Sequence, residues 1–167
     1  MNDLLESIQN SINAGFFYSA FMSSLSLPDI CGYIDHHSDS VRTRYVSWFE
    51  AYMPSYAGSM SGEDAYALRC VVLHNGEVGM TQYTSRSSNS NVVLDKFQLF
   101  ENGMHLLRAT NNTVDGISMP NLVRISVKKY CEDLLSAVRS WELVTGGILG
   151  EHGEAFLIDK GGDSFSI

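Results

Sequence analysis

Arg69 and His74 are the two side chains whose types and spacing best suit catalysis in this sequence. A guanidinium stabilises charge on phosphate oxygens, and an imidazole moves a proton near neutral pH. Together they are groups that phosphodiester cleavage can use. On spacing alone the plainer reading is the commoner one: Arg69 pairs with a carboxylate such as Asp64, and His74 caps the end of its helix. Along an ideal α-helix, residues five apart differ by about 7.5 Å in rise and about 140° in azimuth. One regular helix therefore does not set them on one face. They meet if the helix unwinds near Asn75-Gly76, or if two copies of the helix pack across a two-fold axis.

The element that must position them is a helix expected over 61–76. Ser61 with Asp64 three residues on reads as a capping box, and Asn75-Gly76 as a stop. Between these ends Ala65, Tyr66, Leu68, Cys70, Val71, Val72 and Leu73 cover most of the circumference. A helix apolar all round is a buried helix.

The rest of the chain reads as a housing for that helix. One long helix is expected over 2–27, stopped by Pro28, then a short one from Pro28 to Ile34. A polar loop, Asp35 to Ser40, leads to a helix over 41–53 that turns Tyr45, Trp48, Phe49 and Tyr52 inward. Residues 77–91 read as a loop, and 91–110 as a β-hairpin turning at Glu101-Asn102-Gly103. Residues 111–117 read as a second loop. A last helix is expected from Pro120 to about Val144, with Lys128–Glu132 and Lys129–Asp133 paired on its wet face. Residues 146–167 form a glycine-rich tail.

Composition narrows the function. The chain has 167 residues and a net charge of −8, which opposes non-specific binding to nucleic acid and leaves room for a small basic cleft. Cys31, Cys70 and Cys131 form no CxxC pair, so buried reduced thiols are expected. The apolar run 14–27 is too short and too rich in serine to span a bilayer, and the N-terminus lacks the marks of a signal peptide. His36-His37 beside Asp35 and Asp39 reads as a solvated loop, so no metal is expected. No nucleotide-loop, hydrolase-elbow or zincin motif is present, so no cofactor is expected.

Arg69-Cys-Val-Val-Leu-His74 fits an Arg-x4–6-His motif, and in this it resembles HEPN domains, which are small and mostly helical. Leu27-Pro-Asp-Ile-Cys-Gly32, Arg44-Tyr45 with Trp48-Phe49, and the stretch from Tyr130-Cys131 to Trp141 are similar as well. The resemblance covers roughly 3–145. It implies a single mainly α domain over 1–167, a bundle of about five helices with a small β-hairpin insertion. It also implies a homodimer whose two motif helices share a cleft. Active members are metal-independent endoribonucleases that promote attack of the RNA 2′-hydroxyl on the adjacent phosphate, acting as toxins or in antiviral defence. On this chain Arg69 would hold the phosphate and His74 would be the acid/base. Arg42 and Arg44 on the preceding helix, with Asp64, complete the expected binding set. The partners implied are a second copy, RNA, and an antitoxin or other protein, in the cytoplasm and away from membranes. Active members usually carry a polar residue directly after the Arg, where this chain has Cys70. A catalytically silent binding module is therefore the second expectation.

Overall fold

A computed structural model describes residues 1–76 and 94–146. The expected loop over 77–91 and the tail beyond 146 lie outside the described residues. Helix α1 (Asn2–Asn13) buries Leu5, Ile8 and Ile12. The single helix expected over 2–27 is broken after Asn13, because Gly15 takes a left-handed backbone (φ 78°) that a helix cannot contain. Helix α2 (Phe17–Ser24) follows, then α3 (Leu27–Asp35) with Pro28 in its first turn. In α4 (Val41–Tyr52) the Ser40 hydroxyl caps the N-terminus by accepting from the Thr43 N–H. A 3-10 turn at Pro54–Tyr56 leads to α5 (Gly62–Cys70).

The capping box forms at the start of α5. Asp64 N–H donates to Ser61 Oγ at 3.1 Å, and Ser61 N–H donates to Asp64 Oδ2 at 3.0 Å. Two glycines bring the flanking helices against α4. A Cβ on Gly32 of α3 would lie 2.7 Å from the Arg44 carbonyl oxygen. A Cβ on Gly62 of α5 would lie 2.8 Å from the Val46 carbonyl oxygen. The backbone of α4 is thus gripped on two sides by elements that carry no side chain at the contact.

The sheet overturns the expected bundle of about five helices with one hairpin insert. Strand β1 (Lys96–Phe100) and strand β2 (Leu107–Ala109) do not pair with each other. Strand β5 (Leu122–Ser126) lies between them, parallel to β1 and antiparallel to β2. Residues 122–126, expected as the first turns of the last helix, are therefore the central strand of a mixed sheet. Their alternation decides it: Val123 and Ile125 are buried beside Phe97 and Leu99, while Arg124 sits beside Gln98 on the other face and donates to its Oε1 at 3.0 Å. A second hairpin, β3 (Thr113–Val114) with β4 (Ile117–Ser118), stands where a loop was expected. Its turn, Asp115-Gly116, has positive φ at both residues, as a two-residue hairpin turn requires.

Helix α6 (Val127–Val144) starts at Ser126, whose hydroxyl accepts from the Lys129 N–H. It buries Tyr130, Cys131, Leu134, Val138 and Trp141 against the other helices and the sheet. Both i,i+4 pairs form, Lys128 with Glu132 on its outer face and Lys129 with the less exposed Asp133.

Gly32→Ala should cost about 1–3 kcal/mol, because its new methyl meets backbone that cannot swing away. Gly58→Ala, which meets nothing within 4 Å, should change stability by less than about 0.5 kcal/mol. Urea denaturation of the two variants measures both; equal effects would refute the close approach of α3 and α4.

Candidate functional site

The last turn of the buried helix does what a regular helix does not. Over Val71–Asn75 the chain widens into a π-helical turn, closed by Gly76 in the left-handed conformation (φ 65°). Bonds from i to i+5 put one extra residue into the turn, so residue i+5 stands about where i+4 stands in an α-helix. Arg69 and His74 thereby become neighbours on one face: Arg69 Nη1 lies 3.1 Å from His74 Nε2. The local sequence favours the widening. Val71 and Val72 are β-branched and crowd a regular turn, both are buried, and Gly76 ends the element at no steric cost.

Because a guanidinium only donates, Nε2 of His74 must be the acceptor, and the neutral ring carries its proton on Nδ1. His74 is exposed. Arg69 is mostly covered, and its buried Nε–H finds no acceptor among the described residues. Its Nη2 lies 3.5 Å from Asp29 Oδ2. The other oxygen of the same carboxylate, Oδ1, accepts from Arg44 Nε at 2.9 Å. Arg44 also donates to the Asp39 carbonyl oxygen at 3.2 Å, and its guanidinium lies 5.2 Å from the centre of the Tyr33 ring. Two arginines from two helices thus face one carboxylate from α3, and His74 stands beside one of them. With His74 neutral, the group carries one surplus positive charge on an acidic chain.

The other expected binding residues fall elsewhere. Arg42 makes a forked contact with Glu63, Nε and Nη2 reaching Oε2 at 2.9 and 2.7 Å. Asp64 is fully buried at the opposite end of α5, where its Oδ2 accepts from Arg108 Nη1 at 3.1 Å. It anchors α5 to β2 and does not reach Arg69. Cys70 is turned into the core, where the Tyr66 hydroxyl meets its thiol. Burial, then that thiol, push the Tyr66 hydroxyl above its ordinary range. The position after Arg69 therefore presents no polar group to the site. Two residues were missed from sequence, Asp29 and Tyr33. Asp29 is distant in sequence from the arginine it joins to Arg44, and no spacing rule links the two.

A second polar cluster ties the sheet to the helices. The Tyr56 hydroxyl donates to Asp133 Oδ2 at 2.9 Å and lies 2.7 Å from His105 Nε2. The Ser126 N–H donates to His105 Nδ1 at 3.3 Å, so the neutral ring carries its proton on Nε2. Every member is satisfied by another, which reads as a structural tie. Burial pushes the Asp133 carboxyl up, but donors from His105, Lys129 and Tyr56 outweigh burial and hold it below its ordinary range.

Among the described residues, no group of three or more His, Cys, Asp or Glu gathers as a metal site, and no helix is long and apolar enough to cross a membrane. His36 and His37 are exposed, and Asp35 instead accepts from Trp141 Nε1 at 2.8 Å. Comparison with protein families, with curated proteins and with solved structures finds no match to this chain.

Because the folded carboxyl of Asp133 is the stronger acid, its stabilisation is present above the unfolded value of about 3.9 and is lost as pH falls through the lower folded value. Asp133→Asn should cost about 1–2 kcal/mol at pH 7 and flatten the loss of stability below about pH 4. Chemical denaturation from pH 7 to pH 3 measures it; an unchanged acid limb in the variant would remove Asp133 from the tie.

Proposed function

We propose that this chain is a metal-independent endoribonuclease, with Arg69 and His74 as its reacting groups. The observation that carries the reading is the π-helical turn, which sets a guanidinium and an exposed imidazole 3.1 Å apart at the mouth of an otherwise apolar helix. Single π-turns recur at functional sites. The likeness of the Arg-x4-His motif to that of HEPN ribonucleases points the same way. Arg69 would hold a non-bridging phosphate oxygen. His74 Nε2, freed from Arg69 by that phosphate, would take the proton of the 2′-hydroxyl. The bond from the 2′-oxygen to phosphorus then forms and the bond to the 5′-oxygen breaks, with a proton from solvent going to the leaving oxygen. The products are a 2′,3′-cyclic phosphate and a 5′-hydroxyl.

A homodimer that sets two such pairs side by side belongs to the same proposal, as does a protein partner that restrains the enzyme by covering the pair. So does a cytoplasmic setting. Three unpaired buried thiols suit a reducing compartment, and burial pushes that of Cys131 up to about 11, which keeps it unreactive. Two observations favour a second reading, a silent binding module: Asp29 already pairs with both arginines, and Cys70 offers the site no polar group.

Incubation of the purified chain with varied single-stranded RNA in EDTA separates the two. The enzyme reading predicts fragments ending in cyclic phosphate. It also predicts that His74→Gln lowers the rate about 10²-fold or more with an unchanged melting temperature, since His74 is exposed. RNA left intact would leave the binding module as the reading.

A further inference from the structure

The carboxylate of Asp29 stands where an anion of the site would stand. Each of its oxygens faces a different arginine, Arg44 Nε at 2.9 Å and Arg69 Nη2 at 3.5 Å. That is the arrangement in which two guanidinium groups grip the oxygens of a phosphate. We propose that Asp29 is an internal competitor for a phosphate group, and that a phosphate-bearing ligand binds by displacing it from Arg44 and Arg69. The proposal rests on the reading of Arg69 as a phosphate-binding residue, and it adds Arg44 to that role.

Each arginine has a contact besides the carboxylate. Arg44 retains the Asp39 carbonyl at 3.2 Å and the Tyr33 ring at 5.2 Å, and its backbone is fixed where Gly32 lets α3 approach it. Arg69 has His74 at 3.1 Å, and little of its side chain is exposed. The grip therefore has supports besides the group that occupies it. The occupant is less firmly fixed. Asp29 lies in the first turn of α3, partly exposed, where its side chain can rotate into solvent. The longer 3.5 Å contact shows that it does not fill the space beside Arg69 closely. A phosphate offers oxygens in three directions, so one group in that place can meet Arg44 and Arg69 together, next to the His74 ring on Arg69. Asp29 thereby sets a threshold: ligands with a single weak anionic group do not displace it, and nucleic-acid phosphates, which bring neighbouring charge, do.

The test measures binding, apart from cleavage. Two probes are titrated into wild type and Asp29→Asn by calorimetry. One is a hexanucleotide with 2′-methoxy groups in place of its 2′-hydroxyls, which prevents cleavage, and the other is inorganic pyrophosphate. Asp29→Asn should bind the hexanucleotide about tenfold more tightly, the effect of removing one anion that competes for two guanidinium groups. Adding Arg44→Gln to the Asn variant should abolish that gain. Tightening for both probes supports the proposal with any phosphate as ligand, tightening for the hexanucleotide alone supports it with nucleic acid, and tightening for pyrophosphate alone supports it with a free phosphate compound. Unchanged or weaker binding of both probes by Asp29→Asn overturns it, provided the variant melts as one cooperative unit. Asp29→Ser serves in its place should the Asn variant not do so. Cleavage of RNA without this tightening leaves the ribonuclease reading standing and removes Asp29 from it; tightening without cleavage does the reverse.

Discussion

Helix α5 has almost no face to give to water, and much of the architecture follows from that. Ala65, Ala67, Leu68 and Cys70 are buried along its length, and Val71 and Val72 are buried beyond it. Removing apolar surface from water is worth roughly 25 cal/mol per Å², and this stabilises the fold only if other elements enclose the helix on every side. Helix α4 covers one side, close enough at Gly62 that no Cβ fits. The sheet reaches the start of α5 through Arg108, which meets the buried Asp64. A carboxylate and a guanidinium there stand in for solvent, and removing either partner would leave a charge uncompensated in the interior.

That enclosure decides where polar chemistry can occur. Most side chains of α5 are enclosed, Glu63 and Tyr66 being partly exposed, and the Arg69–His74 pair emerges near its C-terminal end. There the π-helical turn resolves a conflict. Val71 and Val72 must point inward, yet His74 must reach water beside Arg69. An unbroken α-helix would separate the two polar residues by well over a quarter of a turn. One extra residue in the turn restores the match. The first turn of α3 and the body of α4 then bring Asp29 and Arg44 to the same place, and the close approach at Gly32 fixes their spacing. The positive cluster on this acidic chain is thus a product of packing, with its charge partly balanced by one carboxylate.

Features set by near neighbours were legible in the sequence. The Ser61–Asp64 capping box, Pro28 at a helix start, the inward aromatic residues of α4 and the ion pairs of α6 all depend on residues at most four apart. The pairing of Arg69 with His74 was legible only as a choice of two conditions, that the helix unwinds near Asn75-Gly76 or that two copies pack across a two-fold axis; within one chain the structure has a widened turn over Val71–Asn75. Features set by distant partners were not legible. Strand β5 slips between β1 and β2, so a signal that looks only at adjacent segments suggests a hairpin instead. Leu122–Ser126 also carries a helix-compatible apolar stripe into α6, and only its partners in the sheet settle its state. Asp29 was invisible as a site residue for the same reason: what defines it is the convergence of α3, α4 and α5.

The central claim is that Arg69 and His74 form one site and meet one ligand. A nuclear magnetic resonance titration with an uncleavable oligonucleotide tests it most directly, following the Arg69 Nε–H and the His74 ring in the same sample. The predicted result is that both signals move together along a single binding curve, and that Arg69→Gln removes the response of His74. Signals that move along separate curves, or a His74 ring that responds equally without Arg69, would contradict it.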